Sequence, residues 1–562
     1  MTEATPSNAR TGAQVLVDQL TIQGVEHVFC VPGESYLAVL DAFHDAKIEI
    51  TVCRQETGAG IMADASARLT GRPGIVFATR GPGAMNAAHA LHIAEHDSTP
   101  LILFLGQVGR RMRGRGAFQE MNYTEVFGSI AKWVCEIEDP ARIPEIVSRA
   151  FHTAMQGRPG PVVISLPEDM LKQKVSVNDA PRARAAQPAP APMDMMRLRD
   201  ALAKARRPIA IAGGSDWSAE ACAQFRAFAE AFDLPVVTSF RRTMLFDTEH
   251  SNYAGELALG SNPKLVARIK HSDFVLLASG RLPEVPSQGY TLLDIPRPAQ
   301  TFAHVHADPE ELGRVYSPDI AILSAPQNFC AALGSIAAPD DIPWRDHTRS
   351  ARQDYLDFSN HVSEAPGKVQ MAQIMLWLRE NLPEDAIVTN GAGNYTIWVG
   401  RYLRIRRFGG LLAPVSGSMG FGLPAAVGAQ RVHPERLVVS FNGDGCFTMN
   451  GQEFATAVQY NLPIVAIVVD NGMYGTIRMH QEREYPGRVS ATTLRSPDFA
   501  ALARAYGGHG ETVETTEEFV PAWERARASG LPSLIHIKVD PEGITPVTTL
   551  TELRENSLAM QK

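Results

Sequence analysis

The sequence predicts an α/β protein of three doubly wound parallel-sheet domains. Three observations carry that expectation. Short apolar runs recur without polar–apolar alternation, segments of helical spacing separate them, and two Pro-containing polar stretches interrupt the pattern. An unalternating apolar run is a strand buried on both faces, and such strands form parallel sheets whose crossovers are helices.

The pattern starts near residue 13. "VEHVFCVPG" reads as a strand running into a turn, "SYLAVLDAFHD" as a helix and "IEITVC" as a short strand. "ETGAGIMADASARLTG" is an Ala-rich helix closed by glycine, and the strands "GIVFAT" and "PLILFLGQ" flank the helix "AMNAAHALHIAEH". The first domain closes near "PVVISLPEDML", giving the span 1–185. "APRARAAQPAPAPMD" is Pro- and Ala-rich and reads as an extended linker. A second domain, 190–345, takes "PIAIAGG", "LPVVTSF", "DFVLLASG" and "FAHVHADP" as strands. The polar stretch "APDDIPWRDHTRSARQDY" marks the next boundary. A third domain, 366–550, carries "AIVTNG", "RLVVSFNGDG", "LPIVAIVVDN" and "PSLIHIKVD".

Composition excludes several functions. Net charge is −8 with no long run of either sign, which argues against a nucleic-acid footprint. No apolar stretch is long enough to span a bilayer, and the polar start "MTEATPSNARTGAQ" has no apolar signal core, so a cytoplasmic protein is expected. The six cysteines are scattered without a Cys-x-x-Cys, as expected of buried free thiols.

The chemistry is most legible in the third domain. "RLVVSF" runs into Asn442-Gly443-Asp444-Gly445, "MNGQEFATAVQYN" reads as one crossover helix, and the next strand ends at Asn471-Gly472. Gly-Asp-Gly alone is ordinary turn chemistry. Asp444 and Asn471, however, lie 27 residues apart at the carboxyl ends of successive strands. Such ends form the crevice where α/β sheets bind ligands. A carboxylate and an amide oxygen are hard donors suited to Mg²⁺, and flanking glycines let backbone N–H groups approach a diphosphate.

This spacing resembles the thiamine-diphosphate-binding motif, and the chain from about 13 to 540 resembles the acetolactate synthase branch of that family. "CRQETGAGIMADASARLTGRPGIVFATRGPGAMN", "GAFQEMN", "GRPGPVVISLPEDM" and "SGSMGFGLPAAVGA" carry the likeness. It implies pyrimidine-binding, central and diphosphate-binding domains in that order, with thiamine diphosphate and Mg²⁺ as cofactors. It implies that Glu56 hydrogen-bonds N1′ of the aminopyrimidine and favours the imino tautomer that takes the thiazolium C2 proton. Gln55 stands where the family often has His. Met419 matches the residue that bends the cofactor, and the Gly417 carbonyl matches the acceptor from N4′–H. Gly445, Cys446 and the Met473 carbonyl match positions on diphosphate or metal, so the expected metal ligands are Asp444, Asn471 and Met473. Gly393, Asn394 and Tyr395 match a diphosphate-side loop, and Pro32, Gly33, Pro82, Asn86, Gly443, Tyr474 and Gly475 complete the cofactor positions. Gln119, beside Phe118, matches a side chain facing the reacting carbon.

Other motifs carry less. "GFGLPA" fits a dinucleotide fingerprint, but no strand plainly feeds it. His89, His92 and His96 have metal-like spacing without a carboxylate placed to join them, and read as exposed helical histidines. Two departures touch substrate choice. Arg281 is kept in "SGRLPEVPSQGY", but Pro283-Glu284-Val285 stands for the family's Asp-Asp-Arg, and His480 stands for a pocket Trp. The central domain of true acetolactate synthases holds FAD. No glycine fingerprint demands one here, which ranks FAD below the other two cofactors.

The resemblance thus implies decarboxylation of a pyruvate-like 2-oxo acid and ligation of the fragment to a carbonyl acceptor. The alternatives are a decarboxylase or carbon–carbon lyase without ligation, and a cofactor-binding regulator, against which the retained Glu56, Asp444, Asn471 and Met419 speak. A homodimer or homotetramer with its site at a subunit interface is expected, binding a small-molecule substrate and neither nucleic acid nor membrane.

Overall fold

The computed structural model describes residues 9–561. The first eight residues, which carry most of the polar start discussed above, lie outside the described residues. The chain packs as two compact units, one ending at Ala186 and completed by Val427–Val432, the other formed by Gln187–Ala426 and the chain from His433 onward.

The first unit is built on a parallel sheet of β1 (His27–Cys30), β2 (Glu49–Val52), β3 (Gly74–Ala78), β4 (Leu101–Gln107), β5 (Trp133–Glu136) and β6 (Pro161–Pro167). Their order is 2-1-3-4-6-5. β3, β4 and β6 are buried at every position, as their unbroken apolar sequences require. Helix α1 (Glu56–Thr70) is buried from Glu56 to Ala67. Its small residues permit close packing on α2 (Gly81–Asp97), where a Cβ on Gly60 would lie 2.3 Å from that of Ala90. Arg68 locks the two helices, with Nε 2.8 Å from Asp64 and Nη2 2.9 Å from Asp97. Removing one partner would leave a buried charge uncompensated.

The second unit holds two parallel sheets. One contains β7 (Pro208–Ala212), β8 (Val236–Thr238), β9 (Tyr253–Glu256), β10 (Phe274–Ala278), β11 (Thr301–His306) and β12 (Ile320–Leu323), in the order 9-8-7-10-11-12. This is the arrangement of dinucleotide-binding folds. The other contains β13 (Ile387–Asn390), β14 (Leu411–Leu412), β15 (Val438–Gly443), β16 (Val465–Asp470), β17 (His509–Val513) and β18 (Ser533–Lys538). Its order, 14-13-15-16-18-17, repeats that of the first sheet.

The Pro-rich linker is tied down: the Pro188 carbonyl accepts Ala325 N–H at 2.9 Å, and Asn328 Nδ2 donates to Gln187 O at 3.1 Å. Two features add to or differ from the sequence expectation. The second polar stretch forms a helix, α3 (Arg345–Asn360), anchored by Trp344, whose Nε1 donates to Phe232 O at 2.9 Å. The crossover after β15 is not one helix. It consists of α4 (Asp444–Asn450), a 3₁₀ turn at Gly451–Glu453 and α5 (Phe454–Gln459). Gly451 packs against the Phe447 ring, which would lie 2.8 Å from a Cβ there. Asp444 is therefore the first residue of a helix.

Glu256, at the end of β9, is half-buried, and desolvation pushes its carboxyl up to about 7, opposed by the Arg241 N–H and by the charges of Arg241 and Arg242. The folded value lies above the ordinary 4.5, so stability is full below that value and falls as pH rises towards about 7. Glu256→Gln keeps an oxygen for the Arg241 N–H and removes the titration. Thermal melts should show it more stable than the parent at pH 8, by on the order of 1–3 kcal/mol, with no gain at pH 4.5.

Candidate functional site

In the third sheet the strand order reverses between β13 and β15, and their carboxyl ends open a crevice. β13 runs into Gly391-Ala392-Gly393, β15 stops at Gly443, and β16 stops at Asp470 beside Asn471. A cavity of ≈ 290 Å³ lies here. Gly393, Asn394, Tyr395, Gly417, Met419, Gly443, Asp444, Gly445, Cys446, Asn471, Met473, Tyr474 and Gly475 all line it. The structure thus gathers every third-domain residue singled out as a cofactor position. Close approach explains the glycine at 445, where a Cβ would stand 2.6 Å from the Tyr474 ring.

Asp444 is buried, with Oδ1 accepting the Gly445 N–H at 2.8 Å. Ser496 Oγ lies 3.4 Å from Asp444 Oδ2 and donates to Asp470 Oδ1 at 2.9 Å. Burial raises the Asp444 carboxyl well above the carboxylate range, and the neighbouring Asp470 adds to the effect. Asp470, against its own burial, is held down by His536, whose Nε2 is 2.8 Å away, by the Gly472 N–H and by Ser496. Two carboxylates side by side in a partly desolvated place create a demand for positive charge.

No group of three or more His, Cys, Asp or Glu side chains suited to a metal occurs among the described residues. A cation at Asp444 would therefore draw on Asn471, a backbone carbonyl such as that of Met473, and oxygens of a ligand or water. That donor set is hard and oxygen-rich, as Mg²⁺ prefers. The Asn471–Gly475 loop is fixed from outside: Tyr474 N–H donates to Thr492 O at 2.9 Å, and Leu494 N–H donates to Gly472 O at 2.8 Å.

Met419 sits half-buried against the core. Its turn is braced by Gly417 N–H on Pro414 O at 3.1 Å and by Asn450 Nδ2 on Gly420 O at 2.9 Å. Gly417 is left-handed, φ 67°, which favours glycine. The "GFGLPA" segment follows this turn, not a strand.

The first unit carries its own predicted positions at the carboxyl ends of its strands. Pro32 and Gly33 follow β1, Glu56 opens α1 after β2, and Pro82 and Asn86 lie on α2 after β3. Glu56 is 6% exposed, and its Oε2 accepts Asn86 Nδ2 at 2.9 Å. Gln55, the departure from the family pattern, caps α1: its Oε1 accepts Thr57 N–H at 2.6 Å and Gly58 N–H at 3.2 Å. Gln119 is left-handed, φ 63°, and its carbonyl accepts Gly81 N–H at 3.2 Å. This folds the segment over the start of α2. Phe118 beside it is 72% exposed. His89, His92 and His96 are exposed along α2.

None of the four substrate candidates lines this cavity: Phe118 and Gln119 belong to the first unit, and Arg281 and His480 lie outside the lining. Arg281, after β10, has Nη1 3.7 Å from the Glu311 carboxylate. His480 is exposed on α6 (Gly475–Glu484), whose Gly475, Thr476 and Ile477 line the cavity. Sequence reasoning missed Arg241, Trp398, Thr476 and Ile477 in the lining and Ser496 behind it. No motif marks these residues; Arg241 and Ser496 arrive from distant segments, while Trp398, Thr476 and Ile477 lie within three residues of Tyr395 or Gly475.

The central sheet reverses between β7 and β10. There the turn is closed by the chain itself. Gly213 N–H donates to Ala278 O at 3.0 Å, while Trp217 Nε1 and Arg242 Nε donate to the carbonyls of Gly213 and Gly214 at 2.9 and 2.6 Å. A Cβ on Gly214 would lie 1.8 Å from Ser279 O.

Comparison with known proteins agrees with this geometry. Residues 10–126 match the thiamine pyrophosphate enzyme N-terminal TPP binding domain, residues 195–333 the central domain, and residues 391–537 the C-terminal TPP binding domain. The chain is 32% identical over 550 residues to an acetolactate synthase large subunit of Parasynechococcus marenigrum, covering 94% of this chain and 87% of that protein. It is 30% identical over 541 residues to the acetolactate synthase isozyme 2 large subunit of Escherichia coli, covering 95% of this chain and 97% of that protein. An acetolactate synthase of Mycobacterium bovis is 31% identical over 541 residues, covering 92% of this chain and 86% of that protein. With three matching domains and relatives of this identity along almost its whole length, the chain belongs to the thiamine pyrophosphate enzyme family and is similar to its acetolactate synthase large subunits.

Proposed function

We propose that the protein is a thiamine diphosphate- and Mg²⁺-dependent carboligase that decarboxylates a pyruvate-like 2-oxo acid and joins the fragment to a carbonyl acceptor. The observation that carries this reading is the cavity joining Asp444, Asn471, Gly445 and Met419 at the ends of β13, β15 and β16. Bound thiamine diphosphate supplies an electron sink for cleaving a bond beside a carbonyl. The protein supplies the rest. Asp444, Asn471 and the Met473 carbonyl hold Mg²⁺, and Gly445, Cys446 and the Gly393–Tyr395 loop receive the diphosphate. Met419 and the Gly417 carbonyl orient the cofactor, and Glu56, fixed by Asn86, holds a proton at N1′.

Glu56 lies in the first unit and Asp444 in the second, yet one cofactor needs both. We assign the complete site to two chains, in a homodimer or a dimer of dimers. Exposed Leu37, Met85 and Phe118, at 62%, 50% and 72%, support an interface on the Glu56 edge. Six free cysteines support a reducing, cytoplasmic compartment. No helix among the described residues is long and apolar enough to cross a membrane.

A panel of 2-oxo acids with thiamine diphosphate and Mg²⁺, read for carbon dioxide and products together, tests the reading. A ligated hydroxy-ketone is expected; free aldehyde alone would establish the lyase alternative, and no turnover would refute both. Asp444→Ala should abolish thiamine diphosphate binding at ordinary Mg²⁺, because the diphosphate loses its countercharge; titration calorimetry reads this directly. Glu56→Gln can keep an oxygen for Asn86 but no carboxylate charge. It should bind cofactor while deuterium exchange at C2, followed by proton NMR after rapid quench, slows by about 10²-fold or more. Sedimentation should show the active species as a dimer or tetramer, and a fully active monomer at assay concentration would contradict the two-chain site.

A further inference from the structure

Asp470 stands between two residues that line the cavity, Val469 and Asn471, but does not line it. It is nevertheless better supplied with donors than Asp444. Its Oδ1 accepts the Gly472 N–H and the Ser496 hydroxyl, both at 2.9 Å, and its Oδ2 lies 2.8 Å from His536 Nε2. His536 is 1% exposed, its ring stands edge-on to Phe499 with centroids 5.0 Å apart, and its Nδ1 is buried with no hydrogen-bond partner among the described residues. The ring proton therefore belongs on Nε2, the nitrogen with an acceptor. Three donors thus converge on a carboxylate that lies outside the cavity lining.

Ser496 links this carboxylate to Asp444. Its place is fixed from both sides. Met473 and Thr493 form a backbone bridge, Leu494 N–H donates to Gly472 O at 2.8 Å, and Asp498 caps the next helix by accepting the Ala501 N–H at 2.9 Å. A hydroxyl has one proton to give. Asp470 Oδ1, at 2.9 Å, is within ordinary hydrogen-bond reach, whereas Asp444 Oδ2, at 3.4 Å, is beyond it. The proton therefore goes to Asp470, and Asp444 Oδ2 meets an oxygen that brings it no hydrogen. Groups one step behind a metal ligand set its orientation and its freedom to bind. We propose that Asp470 is a positioning residue of the cation site: by taking the Ser496 proton it leaves Asp444 Oδ2 unengaged for Mg²⁺. Asp470 acts through Ser496 and not as a ligand. This rests on the Mg²⁺ site proposed above.

The probe is Mn²⁺, which suits the same hard oxygen donors, added to the full chain with saturating thiamine diphosphate. Electron paramagnetic resonance counts the free ion. Asp470→Ala leaves the Ser496 proton no acceptor but Asp444, so Mn²⁺ affinity should fall by about tenfold or more. Ser496→Ala removes the proton itself and should shift the affinity by no more than about threefold. In the double variant the loss caused by Asp470→Ala should shrink by a factor of about three or more, because no hydroxyl is left to redirect. Additive losses would make Asp470 a distant charge or a structural support and overturn the proposal. If Asp470→Ala does not fold, Ser496→Ala decides. A gain of about tenfold would place the proton on Asp444 in the parent, and a loss of about tenfold would make Ser496 a ligand; either overturns the assignment, and an affinity near the parent's upholds it. A parent that binds no Mn²⁺ would overturn the cation site and this role together. A parent that shows the coupling yet releases no carbon dioxide from any 2-oxo acid would refute the carboligase reading alone. A parent active on 2-oxo acids, with additive losses, would refute the Asp470 role alone.

Discussion

The site depends first on the register of three parallel strands. β13 pairs with β15 so that Asn390 faces Phe441, and β15 pairs with β16 so that Gly443 faces Val469. The strands therefore end within two residues of one another, and the loops bearing Gly393, Asp444 and Asn471 leave the sheet at one edge. Neighbouring strands are about 4.8 Å apart, so three of them span about 10 Å, the reach of a diphosphate with its cation. A slip of one residue would turn the side chains of a strand to the opposite face and scatter these groups.

That geometry places Asp444 where its charge is costly. It is buried at the start of α4, close to a second carboxylate. Ser496 between the two, and His536 on Asp470, make the arrangement tolerable without neutralising it. The first sheet repeats the strand order of the third but carries a different chemistry. At its corresponding edge stands Glu56, held by Asn86 on a helix that the Arg68–Asp64–Asp97 group locks in place. In the function proposed above, one frame serves a proton-holding carboxylate in one case and a cation-holding carboxylate in the other. The difference lies wholly in the residues of the turns.

Legibility followed burial. Strands covered on both faces, such as β4 and β16, announce themselves as unbroken apolar runs. The strands that the sequence leaves unmarked are β5, β9, β12, β14 and β17, and each is an edge strand. β5 is half-buried throughout and β12 alternates buried with exposed positions, so neither carries the signal of a central parallel strand. The helix α3 was hidden for a similar reason: its sequence is polar, and Trp344 with a sparse inner face anchors it. The break between α4 and α5 depends on how Gly451 meets Phe447, a contact that no periodicity expresses.

Asp444, Asn471, Glu56 and Met419 could be picked from the sequence because their chemistry comes with its own neighbours. A glycine on each side, a strand before and a helix after are local features, and they reveal the role of a turn. The same local features were enough for three α/β domains and a cofactor class. Arg241 and Ser496 have no such neighbours. They reach the cavity or its rear wall from segments far from those motifs, and only folding puts them beside Asp444, whereas Trp398 and Ile477 follow Tyr395 and Gly475 by three and two residues. His480 and Arg281 were picked by alignment alone; His480 is exposed and Arg281 lies beside Glu311, and neither lines this cavity of the single chain. Sequence determines which groups are available at the strand ends. Tertiary structure decides which side chains meet them, because proximity across a cavity depends on packing between segments and not on spacing along the chain.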